Sequence, residues 1–263
     1  MKKSREAWTI AILGLLCFIT IWELVARWLG PTKLPSPLTV FSGFVSTFNY
    51  SLRISIQGGG ESGFKPHILY TVQRTLTGSF AGIAIGIGVG LAMGWSRRLR
   101  MAIELPLEAI RTIPPLVLIP FFLMWFGRGP RAQFSILALY CFFMLTINTL
   151  EAINNVRPSR LNFALTLGAS RGQIFRTVVL PSIVPELTGG IRVAIGTSWG
   201  IQVVAELMGT PWGIGKVFEL SRALQALDLI IIGIIWITIL AVITDLTFLS
   251  LAKYITRWAP RVS

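Results

Sequence analysis

Six apolar runs, each close to the length of a bilayer crossing, alternate along the chain with segments rich in Lys, Arg, Gly and Pro. A hydrocarbon core about 30 Å thick needs about 20 mostly apolar residues in a helix to span it. The runs cover about 8–26, 76–95, 106–126, 133–151, 189–209 and 229–252. The first holds one acid, Glu23, and the second holds no charge. The third is interrupted by Pro114, Pro115 and Pro120, and the fifth is the most polar. Lys2, Lys3 and Arg5 ahead of the first run suit the charged start of a signal peptide. The apolar stretch is too long for one, however, and no small-x-small cleavage pattern follows, so the run reads as a retained helix. The pattern predicts an all-α integral membrane protein with six transmembrane helices.

Composition strengthens this reading. Apolar residues make up 53% of the chain and charged residues only 13%, against about 25% charged in soluble domains. An ordinary soluble enzyme is excluded. The net charge of +13 looks at first like a nucleic-acid footprint, but the basic residues sit at the ends of apolar runs, as cytoplasmic membrane-protein loops require. With the N-terminus inside, the inner segments carry 13 Lys and Arg and the outer ones 9, five of them in the long segment 27–75. Long loops obey the charge rule poorly, so both termini are predicted to be cytoplasmic. Within 27–75, Pro37 suits the first turn of a short helix reaching about residue 50, and QGGGESGF at 57–64 reads as an outer loop. Segment 152–188 is then the only sizeable cytoplasmic piece.

Candidate chemistry is mostly absent. Cys17 and Cys141 lie in apolar runs, which argues against a disulfide framework or a thiolate metal site. His67 is the single histidine, HExxH is missing, and the acids in or beside the spans form no recognisable catalytic pair. GIGVG at 86–90 lacks the preceding strand of a dinucleotide loop. GTPWGIGKV at 209–217 has the wrong spacing for a phosphate loop, with Val217 where a magnesium-binding hydroxyl belongs. No catalytic residue, metal site, cofactor or nucleotide site is expected in this chain, and no nucleic-acid partner.

Three features remain. Gly78, Gly82, Gly86, Gly90 and Gly94 repeat every four residues and form a bare stripe suited to close helix approach in lipid. Ser198, Gln202 and Glu206 share one face of the fifth run, with Trp199 beside it. Such a face looks into a bundle or a water-filled path, so it reads either as structural hydrogen bonding or as part of a substrate pathway. Glu206 suits a gate or an ion pair with Arg128 or Arg131, and Asp245 suits pairing with an unnamed basic group. Finally, 160–187 reads as two short helices around a turn at Gly168, with Pro181 and Pro185 marking the return to the membrane.

That last segment resembles the EAA loop of ABC-importer permeases, whose pattern is Glu-Ala-Ala, three residues, Gly, nine residues, Ile, any residue, Leu-Pro. Aligned on Gly168, the chain supplies Ala164, Val178, Leu180 and Pro181, and LGAS at 167–170 contributes Ala169 ahead of Arg171. Asn162 stands in place of the family's Glu and Phe163 in place of its first Ala. WEL (22–24), LPSP (34–37), RTIPPLVLIPFFLMWFG (111–127), GGIRVAIGTSW (189–199) and VVAEL (203–207) are similar to permeases of the nitrate, sulfonate and taurine importer group. The resemblance implies a type I ABC importer permease fold in a bacterial inner membrane, with residues 160–187 as a cytoplasmic coupling-helix loop. It divides the chain into an N-terminal helix and outer segment (1–66), a permease domain (67–252) and a cytoplasmic tail (253–263). It further implies a second permease copy, two ATP-binding subunits that hold the ATP and magnesium, and an extracytoplasmic substrate-binding protein. The cargo it implies is a small anion such as nitrate, taurine or a sulfonate. A secondary transporter or channel subunit is the alternative reading of the spans.

Overall fold

In hydrocarbon no water is present to satisfy backbone N–H and C=O groups, so an open chain must pair them within helices. Every regular element among the described residues, 2–56 and 63–257, is helical in the computed structural model. Most of the glycine-rich stretch 57–64 and residues 258–263 of the expected tail lie outside the described residues.

The order is α1 (Lys2–Leu29), α2 (Pro37–Ser46), α3 (Leu52–Ile54), α4 (Phe64–Trp95), α5 (Arg97–Arg111), α6 (Pro115–Phe126), α7 (Pro130–Asn154), α8 (Pro158–Thr166), α9 (Arg171–Ile174), α10 (Leu180–Leu207), α11 (Ile214–Ala223) and α12 (Leu227–Ile255). Five helices are long and apolar enough to cross a membrane, and a sixth crossing exists if α5 and α6 together make one. Local chemistry sets several starts. Ser36 caps α2, accepting the Thr39 N–H at 3.2 Å, with Pro37 in the first turn. Ser96 caps α5 through the Leu99 N–H.

One compact unit comprises Met1–Leu69 and Pro211–Thr238. In it Phe44 stacks on Trp236 with centroids 4.3 Å apart, and Gly43 lets α2 approach Ile232 of α12. Arg53 forms a forked pair with Asp228. His67, fully buried, accepts the Gly213 N–H at Nδ1 (3.1 Å) and lies against Trp212.

The other unit comprises Tyr70–Thr210 and Ile239–Ser263. Its framework is the contact of α4 with α7 along the glycine stripe. A Cβ on Gly78 would stand 2.8 Å from Leu137 Cβ, one on Gly86 2.6 Å from the Phe142 carbonyl, and one on Gly90 2.6 Å from Thr149 Cβ. At Gly82 it would strike the Ala138 carbonyl, and at Gly94 the Ile153 side chain. The stripe thus meets α7 over its whole length. An apolar cluster of Ile83, Cys141, Leu145, Ala194 and Ile195 joins α10 to this pair.

Three expectations change. The second span starts at Phe64 rather than about 76, because His67, Thr71 and Thr75 lie on a buried face and, with Lys65 and Arg74, lower the apolarity of 64–75 without ending the helix. The third run is not one straight helix: α5 and α6 meet at 96°. The Pro114–Pro115 pair denies the helical conformation to the residue before each proline and removes two backbone donors. The second short helix of 160–187 is not separate from the span: it runs on into α10, which holds both Pro181 and Pro185. A π-turn over Phe175–Val179 shifts the hydrogen-bond register just ahead of them, which is how a helix absorbs such interruptions.

The stripe predicts a sharp contrast along α4. Gly86→Leu should lower resistance to unfolding in detergent by about 1–3 kcal/mol through overpacking, and reduce the yield of assembled protein. At Gly88 a Cβ meets nothing within 4 Å, so Gly88→Leu should stay within about 0.5 kcal/mol of wild type. Denaturant titration followed by circular dichroism measures both.

Candidate functional site

The segment expected to lie in the cytoplasm is built as two short helices around a turn. α8 carries Asn162 and Ala164 and ends at Thr166. Gly168 has φ +75° with open space around it, so glycine is needed there for backbone conformation and not for room. Ala169 follows, and Ser170 opens α9 with a reciprocal cap: its Oγ accepts the Gln173 N–H, and Gln173 Oε1 accepts the Ser170 N–H at 2.7 Å. Arg171 starts α9. Val178 lies in the π-turn, and Leu180 and Pro181 open α10. The helical run is therefore unbroken from Arg171 to Leu207.

The surface of this segment is apolar and basic. Phe163, Leu165 and Leu167 are largely exposed. A hollow of about 660 Å³ lies between α8 and the start of α10, lined by Arg160, Phe163, Ala164, Leu167, Val178 and Pro181. Arg157, Arg160, Arg171 and Arg176 are exposed, and no acid occurs between Glu151 and Glu186. Arg160 donates to Ser182 (3.3 Å). Asn155 at the end of α7 donates to Glu186 of α10 at 2.8 Å, tying the segment's two roots together.

The polar face of α10 is packed within its own chain. Ser198, Trp199, Gln202 and Glu206 are all buried within the chain. Ser198 donates to the Ala194 carbonyl and lies 3.3 Å from Cys141 Sγ. Trp199 Nε1 donates to Thr244 of α12 at 3.1 Å. Gln202 Nε2 donates to Gln133 of α7 (3.2 Å) and to Glu206 (2.7 Å). Glu206 also accepts from Thr71 of α4 at 2.9 and 3.0 Å. The hydroxyl and amide donors take the place expected of Arg128 or Arg131, neither of which forms an ion pair among the described residues. Together these bonds join α4, α7, α10 and α12. Of the two sequence readings of this face, the geometry matches internal hydrogen bonding. The basic partner of Asp245, which the pattern could not name, is Arg192, with both bonds of the fork at 2.7 Å.

The opposite face of α10 is the open one. Gly189, Val193, Gly196 and Gly200 are exposed there, and a Cβ on any of the three glycines meets nothing within 4 Å. A second opening of about 300 Å³ lies where α5 and α6 bend over α7; Arg111, Pro115, Tyr140, Met144, Asn148 and Glu151 are among its lining residues. Arg111 there is paired with Glu108 at 2.9 Å. The sequence reading missed this opening, because the bend at Thr112–Pro114 creates it.

Residues 82–259 match the family described as binding-protein-dependent transport system inner membrane component. The chain is 30% identical over 257 residues to the taurine transport system permease protein TauC of Escherichia coli (strain K12), covering 97% of this chain and 91% of that one. It is 29% identical over 258 residues to the putative aliphatic sulfonates transport permease protein SsuC of Bacillus subtilis (strain 168), covering 97% and 90%. In fold it resembles a chain of the MetNI methionine ABC transporter solved in inward-facing conformations, with a TM-score of 0.58 at 20% identity, over 74% of this chain and 95% of that one.

The buried network carries its own prediction. Gln202→Leu removes the donor to both Glu206 and Gln133, leaving buried acceptors at a cost of about 1–3 kcal/mol. Lower stability in detergent titration, in proportion to any lost uptake, is the expected result. Lost uptake at unchanged stability would return this face to the pathway.

Proposed function

Because the chain belongs to the binding-protein-dependent transport system inner membrane components, and so is the permease subunit of an ABC transporter, we propose that two copies of it form the import pathway for a small organic anion of the sulfonate type. ATP-binding and substrate-binding subunits complete such a transporter, and this chain supplies the passage. The continuity of α9 with α10 is the observation that carries the mechanism. A subunit seated on the exposed apolar surface of Phe163, Leu165 and Leu167 moves a rod that runs unbroken from Arg171 to Leu207.

In this proposal both termini and the segment 158–179 face the cytoplasm, in keeping with the charge bias, and ATP and magnesium reside on the partner subunits. Asn162 in place of the family's Glu removes an acid from the docking surface, so apolar contact and the arginines carry the docking. The open face of α10, with Gly189, Val193, Gly196 and Gly200, is the surface offered to the second copy and to the path. Small side chains there permit close approach and leave no strong binding group, and conduction requires that a solute be released as readily as it enters. Arg111 and Asn148 at the α5–α6 bend supply donors for an anion. The sulfonate class rests on the names of the two relatives given above.

Uptake of taurine and of ethanesulfonate into vesicles carrying the chain with its ATP-binding and substrate-binding partners tests this. At least one should accumulate, with uptake blocked by vanadate and dependent on the binding protein. Uptake that survives loss of ATP hydrolysis would identify a secondary transporter or channel, and failure of both compounds would remove the sulfonate class.

Gly168→Val places a β-branched residue at φ +75°, a strain of about 1–2 kcal/mol. It should abolish uptake while leaving the amount of membrane-inserted chain unchanged. Wild-type uptake by this variant would show that the turn is not part of coupling.

A further inference from the structure

The end of α4 and the start of α9 meet in a contact that no sequence pattern announced. Trp95 is the last residue of α4, and its carbonyl is one of the terminal carbonyls that a helix leaves without an internal partner. Arg171 Nη2 donates to that carbonyl. A guanidinium at this position also offsets the negative end of the helix dipole. The same guanidinium lies over the Trp95 indole, 5.1 Å from the ring centroid. The other edge of the indole meets Phe175 of the π-turn at 5.1 Å, with the rings at 77°. The next residue, Ser96, caps α5. Three helical elements therefore converge on one residue pair: α4 ends there, α5 begins there, and α9 is held there.

We propose that Arg171 is a positioning residue for energy coupling, fixing α9 to the α4–α5 elbow through Trp95 so that displacement of the coupling segment moves both α10 and that elbow. The proposal rests on the reading that the segment 158–179 seats an ATP-binding subunit. Without the joint, a push on α9 reaches α10 directly and the elbow only through non-directional apolar packing, in which Ile174 and Phe175 share a cluster with Ile87 and Leu91 of α4. With it, α5 is carried too, and α5 leads into the 96° bend over the Arg111 opening. Arg171 suits the task chemically. Its planar guanidinium donates to the carbonyl and stacks on the ring together, which a lysine ammonium cannot do. It forms no ion pair among the described residues. α9 is itself stiffened by the reciprocal Ser170–Gln173 cap, so little of the displacement is lost within it.

The test reads conformational switching rather than transport, and so needs no knowledge of the cargo. Val193 on the open face of α10 is replaced by cysteine in a Cys17→Ser background, and the chain is reconstituted with its ATP-binding subunit. Reactivity toward a membrane-impermeant maleimide is compared before and after trapping with ATP and vanadate, per ATP hydrolysed. Trp95→Leu and Arg171→Ala should each reduce that change roughly five- to tenfold. Trp95→Phe, which unlike Trp95→Leu keeps an aromatic face for the guanidinium, should restore most of it, and Arg171→Lys only part. Full switching in Trp95→Leu and Arg171→Ala would overturn the proposal. So would a loss that merely follows the amount of ATP-binding subunit retained, with Trp95→Phe no better than Trp95→Leu, which is the behaviour of a plain interfacial anchor. If the unaltered chain retains no ATP-binding subunit, the docking reading fails, and the joint fails with it.

Discussion

Helices in a bilayer gain little by burying apolar side chains against one another, because lipid is equally apolar. What holds them is close backbone approach and hydrogen bonds between side chains that find no partner in hydrocarbon. This constraint explains why Thr71, Gln133, Ser198, Gln202 and Glu206 of the spans sit inside. The five glycines of α4 bring its backbone against the carbonyls of α7. Thr71, Gln133, Gln202 and Glu206 join α4, α7 and α10 by hydrogen bonds in full burial. Trp199 with Thr244 and Arg192 with Asp245 add α12.

A division of labour within α10 follows. One face is fixed to its own chain by polar contacts that are costly to break in a dry interior. The other carries Gly189, Val193, Gly196 and Gly200, all exposed, with open space around the three glycines among the described residues. Below, the same helical run continues through a π-turn into the segment that bears exposed apolar and basic residues. A rigid element anchored on one side, open on the other and extended beyond the span into the 158–179 segment is suited to passing a displacement at one end to an opening at its flank.

Much of this was legible in the sequence. Run lengths located the membrane crossings, the four-residue spacing of Gly78 to Gly94 marked a packing stripe, and Gly168 marked the turn that its φ of +75° requires. The parts that were not legible share a cause: they depend on partners distant in sequence. Lys65, Arg74 and the polar His67, Thr71 and Thr75 left 64–75 out of the charge-free second run, since nothing local reveals that His67, Thr71 and Thr75 lie on a buried face. Glu206 looked like a gate or an ion-pair partner of Arg128 or Arg131 because all three fall at the outer ends of their runs, and the contact with Thr71, 135 positions away, has no sequence signal. The second short helix read as separate from the fifth run because a π-turn that carries one helix into the next has no sequence signature. The Arg171–Trp95 contact spans 76 positions.

The central claim is that the segment 158–179 lies in the cytoplasm and seats an ATP-binding subunit. A photoreactive side chain in place of Leu165, exposed on α8, tests it directly in inside-out membrane vesicles. The account predicts an adduct with the ATP-binding subunit that disappears when that subunit is stripped from the vesicles and returns when it is added back. Adducts with lipid alone, unaffected by the subunit, would contradict it.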